Sequence, residues 1–174
     1  MTATGGEPLS PRTHSAEDVV RMLQLAPLLG EGGWFRRIAE GEERAGFADG
    51  PRGFATIYAL FTPQAFSALH RLTMDEIWCF HAGDGLDSLR LHPDGHGEWV
   101  RLGLDVNAGE RPQDVVPAGV WQGARVVPGG RWVLVTCVTV PDFRWDAFTL
   151  GEARALSSAY PAFEADIREL AVAP

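Results

Sequence analysis

The chain has 174 residues, 45% hydrophobic and 22% charged, which is typical of one globular domain with a single core or ligand cavity. The formal net charge is −8 and the arginines form no basic stripe, which excludes a nucleic-acid-binding surface because phosphate recognition needs clustered positive charge. No run is apolar enough for a membrane span and the first residues lack a signal pattern, so we expect a cytoplasmic protein. Cys79 and Cys137 lack CxxC spacing, and we expect both to be reduced thiols.

The beginning of the chain predicts a loose tail followed by one domain. Residues 1–14 are rich in Gly, Pro, Ser and Thr and predict a flexible segment, so residues 15–174 are expected to form the domain. Ser15 has the features of a helix N-cap, with Asp18 three positions later and apolar residues at helical spacing after it. This pattern predicts a short helix over 16–25.

Most of the remaining chain consists of short β runs separated by turn residues. The predicted strands cover residues 32–38, 54–61, 66–72, 76–83, 88–93, 98–104, 114–127 and 131–140. Residues 41–53 predict a polar loop, residues 151–171 predict two short helices, and the turn that contains His92 and His96 predicts solvated side chains. Seven or more antiparallel strands at this spacing predict a mainly β sandwich or closed barrel, of which the jelly roll is one form.

A histidine and a carboxylate interrupt a stretch that otherwise has the composition of buried strands, HRLTMDEIWCFHAG at 70–83. Side chains alternate between the two faces of a strand. If the strands on either side of residues 73–75 pair as a hairpin, His70 and Glu76 both face one interior. A buried carboxylate without a partner is costly, so we expect this pair to be functional.

This stretch resembles the first motif of the cupin superfamily. That motif has a glycine, then His-x-His, a glutamate three or four residues later, and a second glycine six residues beyond it. His70 and Glu76 match the first histidine and the glutamate, and Gly83 lies near the position of the second glycine. Leu72 stands where the second histidine would be.

The second cupin motif ends in Pro-x-Gly-x-x-His, and PAGVWQ at 117–122 resembles it through Pro117 and Gly119. Gln122 stands in place of the histidine. Two of the four usual metal ligands of the superfamily are therefore replaced. A metal site, if one exists, is limited to His70, Glu76 and Gln122.

Four segments together resemble the cupin branch known as cupin type five, a family of unknown function. They are EGGWFRRI, FSALHRLTMDEIWCFHAGDGL, AGERPQDVVPAGVWQGA and VTVPDF, in that order, and the resemblance covers residues 16–170. It implies a cupin double-stranded β-helix, that is, a jelly-roll barrel, with a short N-terminal helix and short C-terminal helices. It also implies a homodimer that exchanges N-terminal strand contacts, and it implies no single reaction.

Six side chains besides the polar pair are candidate substrate contacts in such a barrel: Arg36, Tyr58, Phe66, Trp78, Phe80 and Gln122. Aromatic rings can line the cavity wall, although aromatic residues on strands are commonly core. The arginine can hold a carboxylate or phosphate through two hydrogen bonds, or remain solvated at a strand edge. The glutamine amide can bind a substrate hydroxyl or cap a turn.

We expect metal-free proton transfer, because a neutral amide oxygen is a poor ligand for transition metals beside imidazole. The predicted substrate is a carbohydrate-derived or specialised-metabolite carbonyl compound, with an isomerase, epimerase, lyase or cyclase reaction. His70 is the predicted general base, tuned by Glu76. Metal-free cupin epimerases add a late-strand tyrosine acid, but this chain has none between Tyr58 and Tyr160.

Two alternatives from other classes stay open. The first is a cupin that binds a small molecule without catalysis, suggested by the missing tyrosine and the missing metal ligands. The second is a divalent-metal-dependent enzyme that uses His70, Glu76 and Gln122. For all three, the expected partners are a small-molecule substrate or ligand and a second copy of the chain, with neither nucleic acid nor membrane.

Overall fold

The computed structural model describes residues 7–41 and 53–171 of the chain. Its three α-helices are α1 (Ala16–Leu23), α2 (Ala153–Ala159) and α3 (Glu164–Leu170). Its strands are β1 (Ala26–Pro27), β2 (Trp34–Glu40), β3 (Ala55–Phe61), β4 (Ser67–Leu72), β5 (Asp75–Gly83), β6 (Leu86–Leu91), β7 (Gly97–Leu102), β8 (Gln113–Val116), β9 (Trp121–Val126), β10 (Val133–Val140) and β11 (Phe148–Leu150). Most of the predicted loop at 41–53 and the first part of the predicted tail lie outside the described residues.

The strands form two antiparallel sheets. The first sheet has the order β1-β2-β3-β10-β5-β8, and the second has the order β11-β4-β9-β6-β7. Because neighbours in each sheet are mostly distant in sequence, the chain crosses repeatedly between the sheets, as it does in a jelly roll. The predicted mainly β barrel with short helices at both ends of the chain is confirmed.

The structure corrects two predictions about individual strands. The predicted hairpin of β4 with β5 is wrong, because β4 pairs with β9 and β11 whereas β5 pairs with β10 and β8. The short connection at Thr73 and Met74 takes the chain from one sheet to the other. The predicted strand at 114–127 is likewise divided, at Pro117 to Val120, into β8 and β9 of opposite sheets.

Strand alternation gives each sheet an inner and an outer face. The inner faces pack together through a core that includes Trp78, Val100 and Val135. On the outer face of the first sheet, α1 contributes Val19 to a cluster with Leu60. On the outer face of the second sheet, α2 and α3 pack against leucines of the strands. Helices therefore cover part of the outer face of each sheet. The interior between the sheets is therefore the region shielded on both sides.

The N-terminal helix forms where the capping pattern predicts it. The Ser15 side chain accepts from the backbone N–H of Asp18, and the Asp18 carboxylate accepts from the backbone of Ser15. The described part of the predicted tail contacts the barrel, because Leu9 packs beside α1 and Trp132 Nε1 donates to the His14 carbonyl at 2.9 Å. No helix within 7–41 or 53–171 is long and apolar enough to cross a membrane.

Candidate functional site

A cavity of about 180 Å³ lies between the sheets at one end of the barrel. The inner faces of β3, β4, β5 and β10 supply much of its wall. Large apolar side chains around it include Leu28, Phe35, Ile57, Phe61, Phe143 and Trp145. Its polar lining side chains include Glu31, Arg37, His70, Glu76 and Thr139. The cavity thus presents a few polar groups in a mostly apolar wall, as small-molecule sites do.

His70 projects from β4 into this cavity and is held on three sides. Its Nδ1 lies 2.8 Å from the Ala68 carbonyl oxygen, and because a carbonyl only accepts, Nδ1 carries a proton. Glu31 Oε1 lies 3.8 Å from Nδ1, and Glu76 Oε2 lies 4.0 Å from Nε2. The Phe148 ring stacks on the imidazole with centroids 5.3 Å apart. The ring orientation is therefore fixed, with Nε2 directed toward Glu76.

The two carboxylates make His70 a stable cation. Burial by itself lowers the pKa of this imidazole, but the charges of Glu31 and Glu76 outweigh burial and raise the pKa to about 9. For Glu31, burial is the main cause of a raised pKa, Glu76 raises it further, and His70 opposes the shift. His70 is consequently an imidazolium at neutral pH, suited to donating a proton from Nε2.

Glu76 is held by a chain of buried hydrogen bonds that crosses the barrel. Its Oε2 accepts from Trp78 Nε1 at 3.1 Å and from Gln122 Nε2 at 2.6 Å. Gln122 Oε1 in turn accepts from Arg90 Nη1 at 3.0 Å. Arg90 Nη2 donates to Asp114 Oδ2, also at 3.0 Å. Because an arginine can only donate, this chain fixes which end of the Gln122 amide faces Glu76.

The donor set does not fit the metal ion that cupin barrels commonly hold. The Gln122 oxygen is turned toward Arg90, so the amide presents its N–H group and not a lone pair to Glu76. Leu72 occupies the position of a histidine ligand, and Nδ1 of His70 is engaged with the main chain. Of the three predicted ligands, His70 Nε2 and Glu76 alone present lone pairs toward each other, and the predicted alternative site lacks its third donor.

The predicted aromatic contacts occupy different places. Trp78 lies in the interior, stacks on Phe61, and contacts the site through Glu76. Phe80 packs against the inner core beside it. Tyr58 points to the outer face of the first sheet under α1, and Phe66 packs with the C-terminal helices on the second sheet. None of these four aromatic side chains is among those that line the cavity, so the expectation that they do is corrected.

The predicted arginine contact is also displaced, by one residue. Arg36 lies on the outer face of β2, where its Nη1 donates to the Leu23 carbonyl at 3.0 Å. Arg37 pairs in register with Ile57, which faces inward, and lines the cavity instead. Strand alternation explains the exchange, because adjacent residues point to opposite faces. Arg37 also forms an ion pair with Glu40 near the cavity mouth.

Several polar residues of the site are absent from the predicted set. Glu31 precedes β2 in a glycine-rich turn and reaches His70 because its carbonyl accepts from the Ala68 N–H. Arg90 lies in SLRL, where polar and apolar residues alternate as on a half-exposed strand, so this pattern gave no sign that the arginine is buried. Thr139, at 5% exposure, has a hydroxyl without a hydrogen-bond partner among the described residues. All three are needed to describe the chemistry of this cavity.

Comparison with known proteins places the fold and the motifs in one family. The family model described as Cupin superfamily (DUF985), Cupin_5, matches residues 17–151. A protein from Shewanella oneidensis is 35% identical, with a TM-score of 0.85, over 92% of this chain and 99% of that chain. A hypothetical protein from Leishmania major is 31% identical, with a TM-score of 0.83, over 92% of this chain and 100% of that chain.

More distant structures share the architecture alone. Oxalate decarboxylase from Bacillus subtilis is 13% identical, with a TM-score of 0.53, over 85% of this chain and 38% of that chain. No curated protein matched the chain. The family match covers most of the chain and the two similar structures exceed 30% identity over nearly their full length, so the chain belongs to the cupin superfamily, in the Cupin_5 family (DUF985).

Proposed function

We propose that the cavity binds a small carbonyl compound and that Glu31 and His70 transfer protons on it without a metal ion. The observation that carries this proposal is the placement of one buried imidazolium between two carboxylates in a mostly apolar cavity. Titratable groups whose environments shift their pKa values at a pocket are the usual sign of acid and base roles.

The roles differ from those that the sequence predicts, because a histidine with a pKa of about 9 is protonated at neutral pH. In the proposed reaction, the Glu31 carboxylate removes a proton from the carbon next to the substrate carbonyl. His70 Nε2–H donates its proton to the carbonyl oxygen, giving an enol and a neutral imidazole. Return of a proton to the same carbon from the opposite face epimerises the substrate. Where that carbon also bears a hydroxyl, the intermediate is an enediol, and return of a proton to the former carbonyl carbon with loss of the proton of that hydroxyl isomerises it.

Glu76 is a positioning residue in this scheme. It stabilises the imidazolium from the Nε2 side and is itself fixed by Trp78 and Gln122. The apolar wall excludes water, which strengthens the electrostatic effect of both carboxylates on the reacting proton. A lyase or cyclase reaction would use the same enolisation as its first step.

The lining favours one of the two predicted substrate classes. A carbohydrate-derived compound needs many hydroxyl partners, whereas this wall is formed largely by Phe, Ile, Leu and Trp side chains. A specialised-metabolite carbonyl compound with an apolar or aromatic body suits it better. Arg37 at the cavity mouth can receive a carboxylate on such a compound.

Exchange of the proton next to a carbonyl tests this proposal without knowledge of the natural substrate. We would incubate the protein in D₂O with phenylpyruvate and with cyclohexanone and follow deuterium uptake by NMR. Exchange faster than buffer that is lost in both Glu31→Gln and His70→Gln supports the proposal. His81→Ala, an exposed residue of β5 outside the cavity lining, is the control and retains it. Exchange retained in both cavity variants refutes the proposed roles.

The second candidate is a binding protein without catalytic activity. Its support is that both tyrosines of the chain lie away from the cavity, since Tyr58 packs under α1 and Tyr160 donates to the His92 carbonyl. Native mass spectrometry of freshly purified protein separates the candidates. A retained organic ligand, together with no deuterium exchange on that ligand, favours binding alone. The family resemblance further supports a homodimer, and size-exclusion chromatography with light scattering tests this oligomeric state.

A further inference from the structure

The hairpin that joins β6 to β7 places two histidines opposite each other. The backbone N–H of His92 donates to the His96 carbonyl at 2.7 Å, and Gly95 N–H donates to the His92 carbonyl at 3.0 Å. Gly95 has a φ of +90°, which closes the short turn at little steric cost. The Asp94 carboxylate accepts from His96 N–H at 3.0 Å. The turn thus has a defined backbone geometry.

Glu98 joins the two histidines on the same side of the hairpin. It is the second residue of β7 and follows the turn that carries His96. His92 Nε2 lies 3.3 Å from Glu98 Oε1, and the two imidazole centroids are 5.4 Å apart. One ligand atom from each residue lies within 4.8 Å of the others. These three side chains are a cluster separate from the barrel cavity.

The spacing of this cluster fits a tetrahedral ion. Donor atoms about 2.0 to 2.1 Å from a tetrahedral Zn²⁺ lie about 3.3 to 3.4 Å from one another. The His92 and Glu98 atoms already have this separation, and the exposed His96 ring can approach by rotation of its side chain. Two imidazoles and one carboxylate suit Zn²⁺ and similar transition-metal ions, whereas Ca²⁺ and Mg²⁺ prefer oxygen ligands alone.

The backbone beneath these ligands is already fixed by the C-terminal segment. Tyr160 Oη donates to the His92 carbonyl at 2.9 Å. At Gly97, a Cβ would overlap the Phe163 ring, so the strand lies directly against that side chain. Because the backbone is already held, binding of an ion has to order only the three ligand side chains. This keeps the loss of conformational entropy on binding low.

The charged side chains near this cluster form their hydrogen bonds with partners outside it. Arg90 is the register partner of Glu98, but its terminal nitrogens are engaged with Gln122 and Asp114. The Asp94 carboxylate serves the turn and adds negative charge nearby. We propose that His92, His96 and Glu98 form a three-ligand site for Zn²⁺ or a similar divalent transition-metal ion, with water as the fourth ligand.

The test uses Zn²⁺ and Co²⁺ as probes on the full chain. Competition with a chromophoric chelator gives the Zn²⁺ affinity, and the visible absorption of bound Co²⁺ reports tetrahedral coordination. We expect one ion per chain, a tetrahedral Co²⁺ spectrum, and a higher Tm in the presence of Zn²⁺. We expect His92→Ala and His96→Ala each to weaken Zn²⁺ binding by at least about 100-fold. Loss of a residue that only supports a ligand costs up to about 100-fold in metal affinity, and each of these variants loses a direct ligand.

Two controls keep the proposal falsifiable. His81→Ala removes an exposed histidine elsewhere and leaves Zn²⁺ binding unchanged, whereas His70→Gln tests the barrel cavity. Binding lost in His70→Gln and retained in His96→Ala would place the ion in the cavity and overturn the proposal. Absence of stoichiometric binding to the wild-type chain would also overturn it. His96 is exposed, and an unchanged unfolding transition in metal-free buffer verifies that its variant is folded.

Discussion

Gln122 donates to Glu76 across the interior of the barrel, through a hydrogen bond of 2.6 Å that joins β9 of one sheet to β5 of the other. The opposite end of the same amide accepts from Arg90. The orientation of Glu76 next to His70 therefore depends on an arginine that does not line the cavity. A charge-assisted chain of this kind is strong when complete and costly when one member is removed.

Arg90→Met tests that dependence. Asp114 and the Gln122 oxygen would lose a buried donor, so we expect the free energy of unfolding to fall by about 3 to 5 kcal/mol. Arg111→Ala is the matched control, because Arg111 contacts the other oxygen of Asp114 but is half exposed, and we expect a loss below about 1 kcal/mol. Urea unfolding measures both. Equal effects in the two variants would contradict the role assigned to the buried arginine.

The raised pKa of His70 predicts a specific pH dependence of stability. The folded-state pKa of about 9 exceeds the ordinary value of 6.5, so the folded protein binds this proton more tightly than the unfolded chain. The resulting stabilisation is fully present below about pH 6.5 and is lost as the pH rises through about 9. Its upper limit is about 3 kcal/mol. Urea unfolding at several pH values should show this decline in the wild-type chain.

His70→Gln provides the comparison for that decline. We expect its free energy of unfolding to change less between pH 6.5 and 9 than that of the wild-type chain. The pKa itself is measured from the ring ¹⁵N chemical shifts, which also report the proton on Nδ1. Glu31→Gln should lower the pKa of His70, because it removes one of the two carboxylates that raise it. A pKa near 6.5 in the wild-type chain would contradict the proposed acid.

The polar pair at the centre of the site could be predicted from the sequence because its signal is local. Strand alternation and the cupin spacing together place His70 and Glu76 in the interior, although β4 and β5 turn out to lie in opposite sheets. Gln122 follows from the second motif in the same way. These inferences need only the spacing of residues and the period of a strand.

The supporting residues depend on contacts between distant parts of the chain. Arg90 meets Gln122 because β6 pairs with β9 in a register that places the two residues opposite each other. Glu31 meets His70 because the turn before β2 hydrogen-bonds to Ala68. Strand register and the position of a turn leave no repeating pattern in the sequence. Glu31, the base of the proposed reaction, was therefore not predicted.

Thr139→Val tests whether the unpartnered hydroxyl serves a ligand. Oγ1 of this inner-face residue has no partner among the described residues, so its replacement by a methyl group should leave the free energy of unfolding unchanged or raise it by about 1 kcal/mol. Retention of a co-purified ligand, measured by native mass spectrometry, should fall. Thr149→Val on the exposed strand β11 is the control for ligand retention. A loss of stability in Thr139→Val would show instead that the hydroxyl stabilises the fold.

Gly32→Ala and Gly30→Ala separate the position of Glu31 from backbone strain. Both glycines have positive φ, +105° and +87°, so alanine is strained at either and costs about 1 to 3 kcal/mol of stability. At Gly30 a Cβ meets open space, whereas at Gly32 it would overlap the Phe66 carbonyl oxygen beside the Glu31 turn.

We therefore expect Gly32→Ala to displace Glu31 from His70 and to lower the pKa of the imidazole, in addition to destabilising the fold. Gly30→Ala should reduce stability alone and leave that pKa near 9. Ring ¹⁵N shifts and urea unfolding, measured on both variants, distinguish these outcomes. If the pKa of His70 is the same in both, the turn does not set the position of Glu31, and the carboxylate reaches the imidazole by the freedom of its own side chain.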